Sequence, residues 1–155
     1  MTVLSVEKIL RQTRAKLWQV VSQFSQAAKW ADGVEKTEHV SGEAANVGGV
    51  WRVHLRWDDS YQIVDLEITE WLEGERFGLR PLGTPRADDD IVLYQIVFNL
   101  KALPDGQTQI GLQCEYAPRK RMAKIKNLAF LRRQYLHRLQ ASLEALERFT
   151  SERVL

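Results

Sequence analysis

The spacing of apolar residues divides this chain of 155 residues into stretches of different period. Val3 to Arg11 alternates loosely and reads as a first strand. Thr13 stands as an N-cap before Leu17, Val20, Val21 and Phe24, whose helical spacing predicts a short amphipathic helix. Ser25 caps a second short turn through Ala28 and Trp30, which Asp32-Gly33 ends. From Val34 onward the period falls to two. Val34 to Ser41 is a strand, Gly42 breaks it, and Asn46-Val47-Gly48-Gly49 turns the chain. Val50 to Trp57 alternates most cleanly, with Trp51, Val53, Leu55 and Trp57 on one face and Arg52, His54 and Arg56 on the other. Tyr61 to Trp71 puts Val64, Leu66 and Ile68 on its inner face, and Arg76 to Arg80 returns antiparallel after Glu73-Gly74-Glu75.

Pro81 to Asp90 holds two prolines, a glycine and three consecutive aspartates, and is the longest loop. Ile91 to Leu100 follows as a strand, with Val92, Tyr94, Ile96, Phe98 and Leu100 sharing a face. Pro104-Asp105-Gly106 is a hairpin turn into Thr108 to Tyr116, where Ile110, Leu112, Cys114 and Tyr116 share a face. Beyond Pro118, Arg121 to Ser151 contains neither proline nor glycine. Leu128, Tyr135, Leu136, Leu139, Leu143 and Leu146 recur there at three- and four-residue spacing. A helix of that length runs roughly 45 Å. It is the only element long enough to cover the apolar face of the sheet. The prediction is therefore an α+β domain spanning residues 1–155: a curved antiparallel sheet of about seven strands wrapped around a long C-terminal helix, with two short helices between the first two strands.

Composition narrows the class. The chain is 45% hydrophobic and 27% charged, which suits a single globular core and argues against disorder. One cysteine, Cys114, excludes an intrachain disulfide and zinc clusters built on paired cysteines. The first eight residues lack the basic start and apolar run of a secretory signal, so a reducing cytoplasm is the expected location. Net charge is only +2 but uneven: residues 1–116 carry 12 Lys/Arg against 17 Asp/Glu, and residues 117–155 carry 10 against 3. No acid occurs between Arg119 and Arg138. Such a basic stretch fits either a solvated helix face or an anionic partner. An anionic membrane surface fits better than nucleic acid, since no nucleic-acid module is present.

This order of elements resembles the START-like, helix-grip superfamily, whose bacterial members are often called polyketide cyclase/dehydratase or SRPBCC proteins. Leu17-Trp18-Gln19-Val20-Val21-Ser22, followed by Trp30-Ala31-Asp32-Gly33-Val34, is similar to that family's helix pair ending in a tryptophan before a strand that starts with Gly-Val. Val47-Gly48 sits where the family has a Val-Gly pair before its third strand. Leu66-Glu67-Ile68-Thr69-Glu70-Trp71 resembles its strand and turn ending in Glu-Trp, and Leu103-Pro104-Asp105-Gly106-Gln107-Thr108 its Asp-Gly hairpin. These motifs cover nearly the whole chain and are structural, none catalytic. The resemblance implies a cavity for a hydrophobic or amphipathic small molecule; family members include lipid carriers, hormone receptors and cyclases.

The candidate cavity wall comprises Trp51, Val53, Leu55, Trp57, Tyr94, Phe98 and Tyr116 from the strands, with Leu128, Tyr135, Leu136 and Leu139 from the helix. Core packing is the alternative for each. Buried hydroxyls at Tyr94 and Tyr116 require partners, which makes them plausible ligand donors. Arg132 falls within the apolar arc of the helix. A cation there forms an ion pair, snorkels to water, or anchors a ligand carboxylate or phosphate. Glu70 shares strand parity with Val64, Leu66 and Ile68 and is its natural counterpart, unless a bulge turns it outward. Cys114 shares the inward face and reads as a buried structural thiol. His39, His54 and His137 show no metal spacing and read as surface residues, so neither metal nor cofactor is expected. Asp88-Asp89-Asp90 reads as part of a solvated loop, and the Pro81–Asp90 loop as the best lid by length.

Three functions follow. The first is a protein that binds or carries a lipid-like or polyketide-like molecule between sheet and helix. The second is a cyclase/aromatase-type enzyme with Glu70 or Tyr94 as the acid/base. The third is a peripheral module that places residues 119–133 against acidic headgroups or a protein partner. A monomer or a homodimer suits all three.

Overall fold

The structure is a computed structural model and describes residues 2–57, 60–83, 91–118 and 132–152. Seven strands form one antiparallel sheet: β1 (Thr2–Leu10), β2 (Val34–Ser41), β3 (Val50–Trp57), β4 (Ser60–Leu72), β5 (Arg76–Pro81), β6 (Ile91–Ala102) and β7 (Thr108–Pro118). Their order across the sheet is β1-β7-β6-β5-β4-β3-β2. Strands two to seven thus form a meander, as short turns between antiparallel neighbours favour. The first strand closes back beside the last. The sheet edges are β1 and β2, joined by α1 (Arg14–Val21) and a 3-10 helix (Phe24–Lys29). The C-terminal helix α2 spans Arg132–Glu152. The earlier part of the predicted helix, with Leu128, lies outside the described residues.

Thr13 caps α1 as expected, its side chain accepting from the backbone N–H of Lys16. The second short element differs from expectation. It is a single 3-10 helix, and Ser25 lies inside it rather than at its cap, which Gln23 occupies without a side-chain hydrogen bond. The β2–β3 turn explains one pair of glycines. A Cβ on Gly49 would lie 2.0 Å from the Glu43 carbonyl oxygen, and Gly48 adopts a φ of 92°. The Gly49 carbonyl then accepts from Ile68 N–H, and Gly48 N–H donates to the Ile68 carbonyl, fixing the turn to β4.

Two bulges reset the alternation that the sequence implies. In β4 the register shifts between Ile68, opposite Leu79, and Glu70, opposite Gly78. Thr69 is the extra residue, so Trp71 rather than Glu70 takes the next inward position, opposite Phe77. In β6 the shift falls between Leu93, opposite Tyr116, and Gln95, opposite Glu115. Tyr94 is the extra residue there. Leu93, not Val92 or Tyr94, faces inward beside Tyr116, and the face assigned from strict alternation holds only from Ile96 onward.

The core fills the space between the concave face, α1 and the C-terminal half of α2. Leu10, Leu17, Val21, Ile68, Ile110, Leu143 and Leu146 are fully buried. Burying a leucine side chain stabilises by roughly 1.5–3 kcal/mol before entropy is counted. Around them Trp18, Phe24, Trp71, Phe77 and Phe98 pack mostly edge to face. Glu73, in the β4–β5 turn, accepts from the Trp18 and Trp71 indole N–H groups, both at 2.8 Å. Glu73 thereby ties α1 to the sheet.

Candidate functional site

Cross-strand register arranges the concave face in rows. One row runs Thr2, Tyr116, Leu93; the next Leu4, Cys114, Ile96, Leu79, Ile68; the next Val6, Leu112, Phe98, Phe77, Trp71. The third row is buried except for half-buried Trp71. In the second row the middle positions Cys114, Ile96 and Leu79 are only half-buried, although Leu4 and Ile68 at its ends are sealed. Leu55 and Val64 on β3 and β4 are half-buried too. Above these rows lies the first part of α2. Tyr135 meets Tyr116 at 5.4 Å between ring centroids, with Leu136 next to it in sequence and Leu139 one turn on, all half-buried. Among the described residues, the candidate site is therefore an apolar, half-buried region formed by the middle strands and the N-terminal half of α2.

Its polar groups gather at one end. The Tyr116 hydroxyl is hydrogen-bonded to the Thr2 side chain, and the Arg132 guanidinium is close enough to act on it electrostatically. Burial pushes the Tyr116 phenol above its ordinary value, against the opposing pull of Thr2 and Arg132. Burial likewise pushes the Cys114 thiol up to about 12, helped by the charge of Glu115. The thiol therefore stays protonated at neutral pH and behaves as an apolar wall atom. The second and third rows carry no charged side chain.

The predicted residues distribute unevenly. Trp51, Val53 and Phe98 are buried in or beside the core; Trp51 also packs on Phe24 and donates its indole N–H to the Ala44 carbonyl at 2.9 Å. Leu55, Cys114, Tyr116, Tyr135, Leu136 and Leu139 line the half-filled region or its rim. The Trp57 side chain and Leu128 lie outside the described residues. Glu70 is turned to the convex face by the β4 bulge and pairs with Arg76 at 2.9 Å, so it is not the counterpart of Arg132. Tyr94, carried by the β6 bulge, is 45% exposed. Neither acid/base candidate faces the concave side. Arg132 opens α2 and is exposed. Among the described residues, the α2 cation seen in an ion pair is Arg138, which reaches Asp32 at 3.1 Å with its side chain 17% exposed.

The convex face is a lattice of paired charges: Arg52 with Asp65, Arg56 with Glu35, Lys36 with Glu38, and Arg80 with Glu67. His54 lies within it rather than simply on the surface, hydrogen-bonded to the Tyr61 hydroxyl and near Glu38 at 3.3 Å. Paired in this way, the cations present no net basic surface to a polyanion. Most of the basic stretch 119–133, the Pro81–Asp90 loop from Thr84 onward and the three aspartates lie outside the described residues. Among the described residues no cluster of metal-ligating side chains occurs, and no helix is long and apolar enough to cross a membrane. Two open surface clefts lie elsewhere, one of about 430 Å³ beside Asp32 and Ala141 and one of about 540 Å³ beside Leu10 and Thr150. Neither contains a residue predicted from sequence. Sequence reasoning also missed Glu73 and the environment of Trp30. The only signal for the latter was the Trp-Ala-Asp-Gly-Val stretch itself.

No family model matches the sequence, and no curated protein matches it. Solved structures do match over nearly the full length. An aromatase/cyclase from Streptomyces sp. R1128 superposes with a TM-score of 0.78 at 15% identity, covering 99% of this chain and 96% of that one. A START superfamily protein from Mycobacterium smegmatis gives 0.76 at 12% identity, covering 98% and 99%. Norcoclaurine synthase from Thalictrum flavum, in complex with dopamine and hydroxybenzaldehyde, gives 0.72 at 14% identity, covering 99% and 88%. At these identities the likeness establishes the fold alone.

Proposed function

We propose that this START-like helix-grip domain binds a hydrophobic or amphipathic small molecule between its sheet and the N-terminal half of α2. The observation that carries this reading is the half-burial of Leu79, Ile96, Cys114, Leu136 and Leu139, apolar side chains of the sheet and of α2 that the described residues leave partly accessible. Close packing is the norm in protein interiors, so a facing apolar pair left half-covered invites a filler. The displaced area would contribute about 25 cal/mol per Å² before ordering costs. Arg132, beside Tyr116 at the rim, is placed to meet an acidic group on the ligand. Neighbours of this fold include proteins with small aromatic molecules bound, which supports a small-molecule ligand without identifying it. A carrier or sequestering role fits better than cyclase chemistry, because Glu70 and Tyr94 lie away from the apolar region.

The test is direct. Native mass spectrometry of the purified full chain should reveal a co-purifying apolar molecule, or else saturable binding of an anionic naphthalene probe. Leu139→Trp, which fills the gap, should abolish binding while leaving the circular dichroism spectrum intact. Arg132→Met should weaken the anionic probe by about tenfold without altering thermal stability. Saturable binding that survives Leu139→Trp unchanged would place the ligand elsewhere, and failure of every apolar probe to bind would sink the reading.

A further inference from the structure

Trp30 stands where the packed and half-filled parts of the molecule meet. It follows the 3-10 helix, and two residues on, Asp32 is tied to α2 twice. The Asp32 backbone N–H donates to Ser142 Oγ at 2.8 Å, and its carboxylate pairs with Arg138 at 3.1 Å. From that anchor the indole reaches β6, meeting Phe98 edge to face at 5.4 Å between ring centroids. The ring therefore spans the space between helix and sheet. Sealed Leu143 and Leu146 lie on the C-terminal side of Ser142, and half-buried Leu139 and Leu136 on the other. Trp30 belongs to the core cluster against which half-buried Leu79, Ile96, Leu136 and Leu139 pack, and it also lines the open cleft beside Asp32 and Ala141.

This tryptophan carries an unmatched donor. Trp30 is 6% exposed, and its Nε1–H has no acceptor among the described residues. The contrast with its fellows is sharp. Trp18 and Trp71 donate to Glu73 at 2.8 Å, and Trp51 donates to the Ala44 carbonyl at 2.9 Å. An unmatched buried N–H destabilises the fold, whereas phenylalanine would fill much the same apolar space without that penalty. The aromatic face of Phe98 is at best a weak acceptor.

Resting on the binding reading above, we infer that the Trp30 indole N–H is the hydrogen-bond donor for the inner end of the bound molecule. The ligand then carries a neutral acceptor oxygen, a carbonyl or an ether, at its inner end and an acid at the Arg132 end. Arg132 and Ser142 are ten residues apart on one helix, about 15 Å along its axis. The ligand class is therefore an elongated apolar acid with an oxygen acceptor opposite the acid.

Two matched probes test this on the full chain: a biphenyl carboxylate with an acetyl group at its far end, and the isostere in which isopropenyl replaces acetyl. The ketone should bind wild type about tenfold more tightly than the isostere. Trp30→Phe should erase that preference by weakening the ketone alone, and Arg132→Met should weaken both probes alike. In the ¹⁵N–¹H spectrum, the indole signal missing from Trp30→Phe should move downfield with the ketone but not with the isostere. If both probes bind wild type equally, or Trp30→Phe keeps the preference, Trp30 is not the donor and the binding reading stands without it. If neither probe binds wild type, this inference falls, and if the naphthalene probe fails as well the binding reading falls with it. Should Trp30→Phe fail to fold, the wild-type affinities and the movement of one indole signal decide the matter.

Discussion

The two halves of α2 face one sheet with similar side chains and end in different states. In the C-terminal half, Leu143 and Leu146 are 1% and 0% exposed, closed in with Leu10, Leu17, Val21 and Ile110. In the N-terminal half, Leu136 and Leu139 remain half-buried, like Ile96 and Leu79 on the sheet. The amino acids are alike, so hydrophobicity does not explain the difference. The packed half is a three-sided enclosure of sheet, α2 and α1, with Trp18 clamped to Glu73. The other half has the sheet and α2. A curved sheet and one helix diverge along their length, and a third element must fill the wedge. Where α1 does so, the leucines are sealed; where no described element of that size does, they stay half-buried, and the proposed ligand would take its place there.

The largest test of this contrast is a pair of identical truncations. Leu146→Ala should lose about 3–5 kcal/mol in urea unfolding, because a sealed site cannot collapse around the cavity left behind. Leu139→Ala should lose only about 1–2 kcal/mol, because fewer contacts surround it. Equal losses would mean that both halves are packed alike. Next in size, Glu73→Ala leaves the Trp18 and Trp71 donors without their carboxylate. It should lower stability by about 2–3 kcal/mol, with a matching change in tryptophan fluorescence. At the junction, Arg138→Met breaks the pair with Asp32 and should lower stability by about 1 kcal/mol, read by the same unfolding assay at two salt concentrations.

The smallest effect at neutral pH concerns Cys114. Its folded pKa lies above its unfolded one, so the folded chain keeps a proton that the unfolded chain releases. That contribution is fully present below pH 9.0 and is lost as pH rises toward about 12. Stability measured against pH should therefore fall less steeply on the alkaline side for Cys114→Ala than for wild type. Tyr116, raised chiefly by its burial and slightly by Cys114, titrates in both proteins and is lowered slightly in Cys114→Ala. Rapid modification of Cys114 by a thiol reagent at pH 8 in the folded protein would contradict the buried assignment.

Much of the fold was legible because strands and helices write different periods. β2 and β3 begin and end where their alternation does, and the turns at Gly49 and Gly106 fall where glycine was needed. The site was less legible. Arg132 drew attention as a cation in an apolar stripe, yet Arg138 is the one α2 buries against Asp32, a partner 106 residues away. Glu70 and Tyr94 were assigned by counting in twos, and each sits at a bulge or just beyond one. Trp30 passed as one more core aromatic, since the lack of an acceptor for its N–H depends on groups distant in the chain.

The sequence by itself determined the elements, their antiparallel order and the pairing of a sheet with one long helix, because these depend on local period and on turn residues that act over a few positions. Only the tertiary structure decided which residues face the concave side beyond a bulge, which cation is paired, and which apolar side chains are sealed or left half-covered. An extra residue is accommodated only by the register of the neighbouring strand, as Gly78 shows beside the bulged Thr69, where a Cβ would lie 3.3 Å from the threonine hydroxyl. Burial likewise belongs to the enclosure and not to the residue: leucine is written identically at 139 and 146, and only the elements gathered around each position tell them apart.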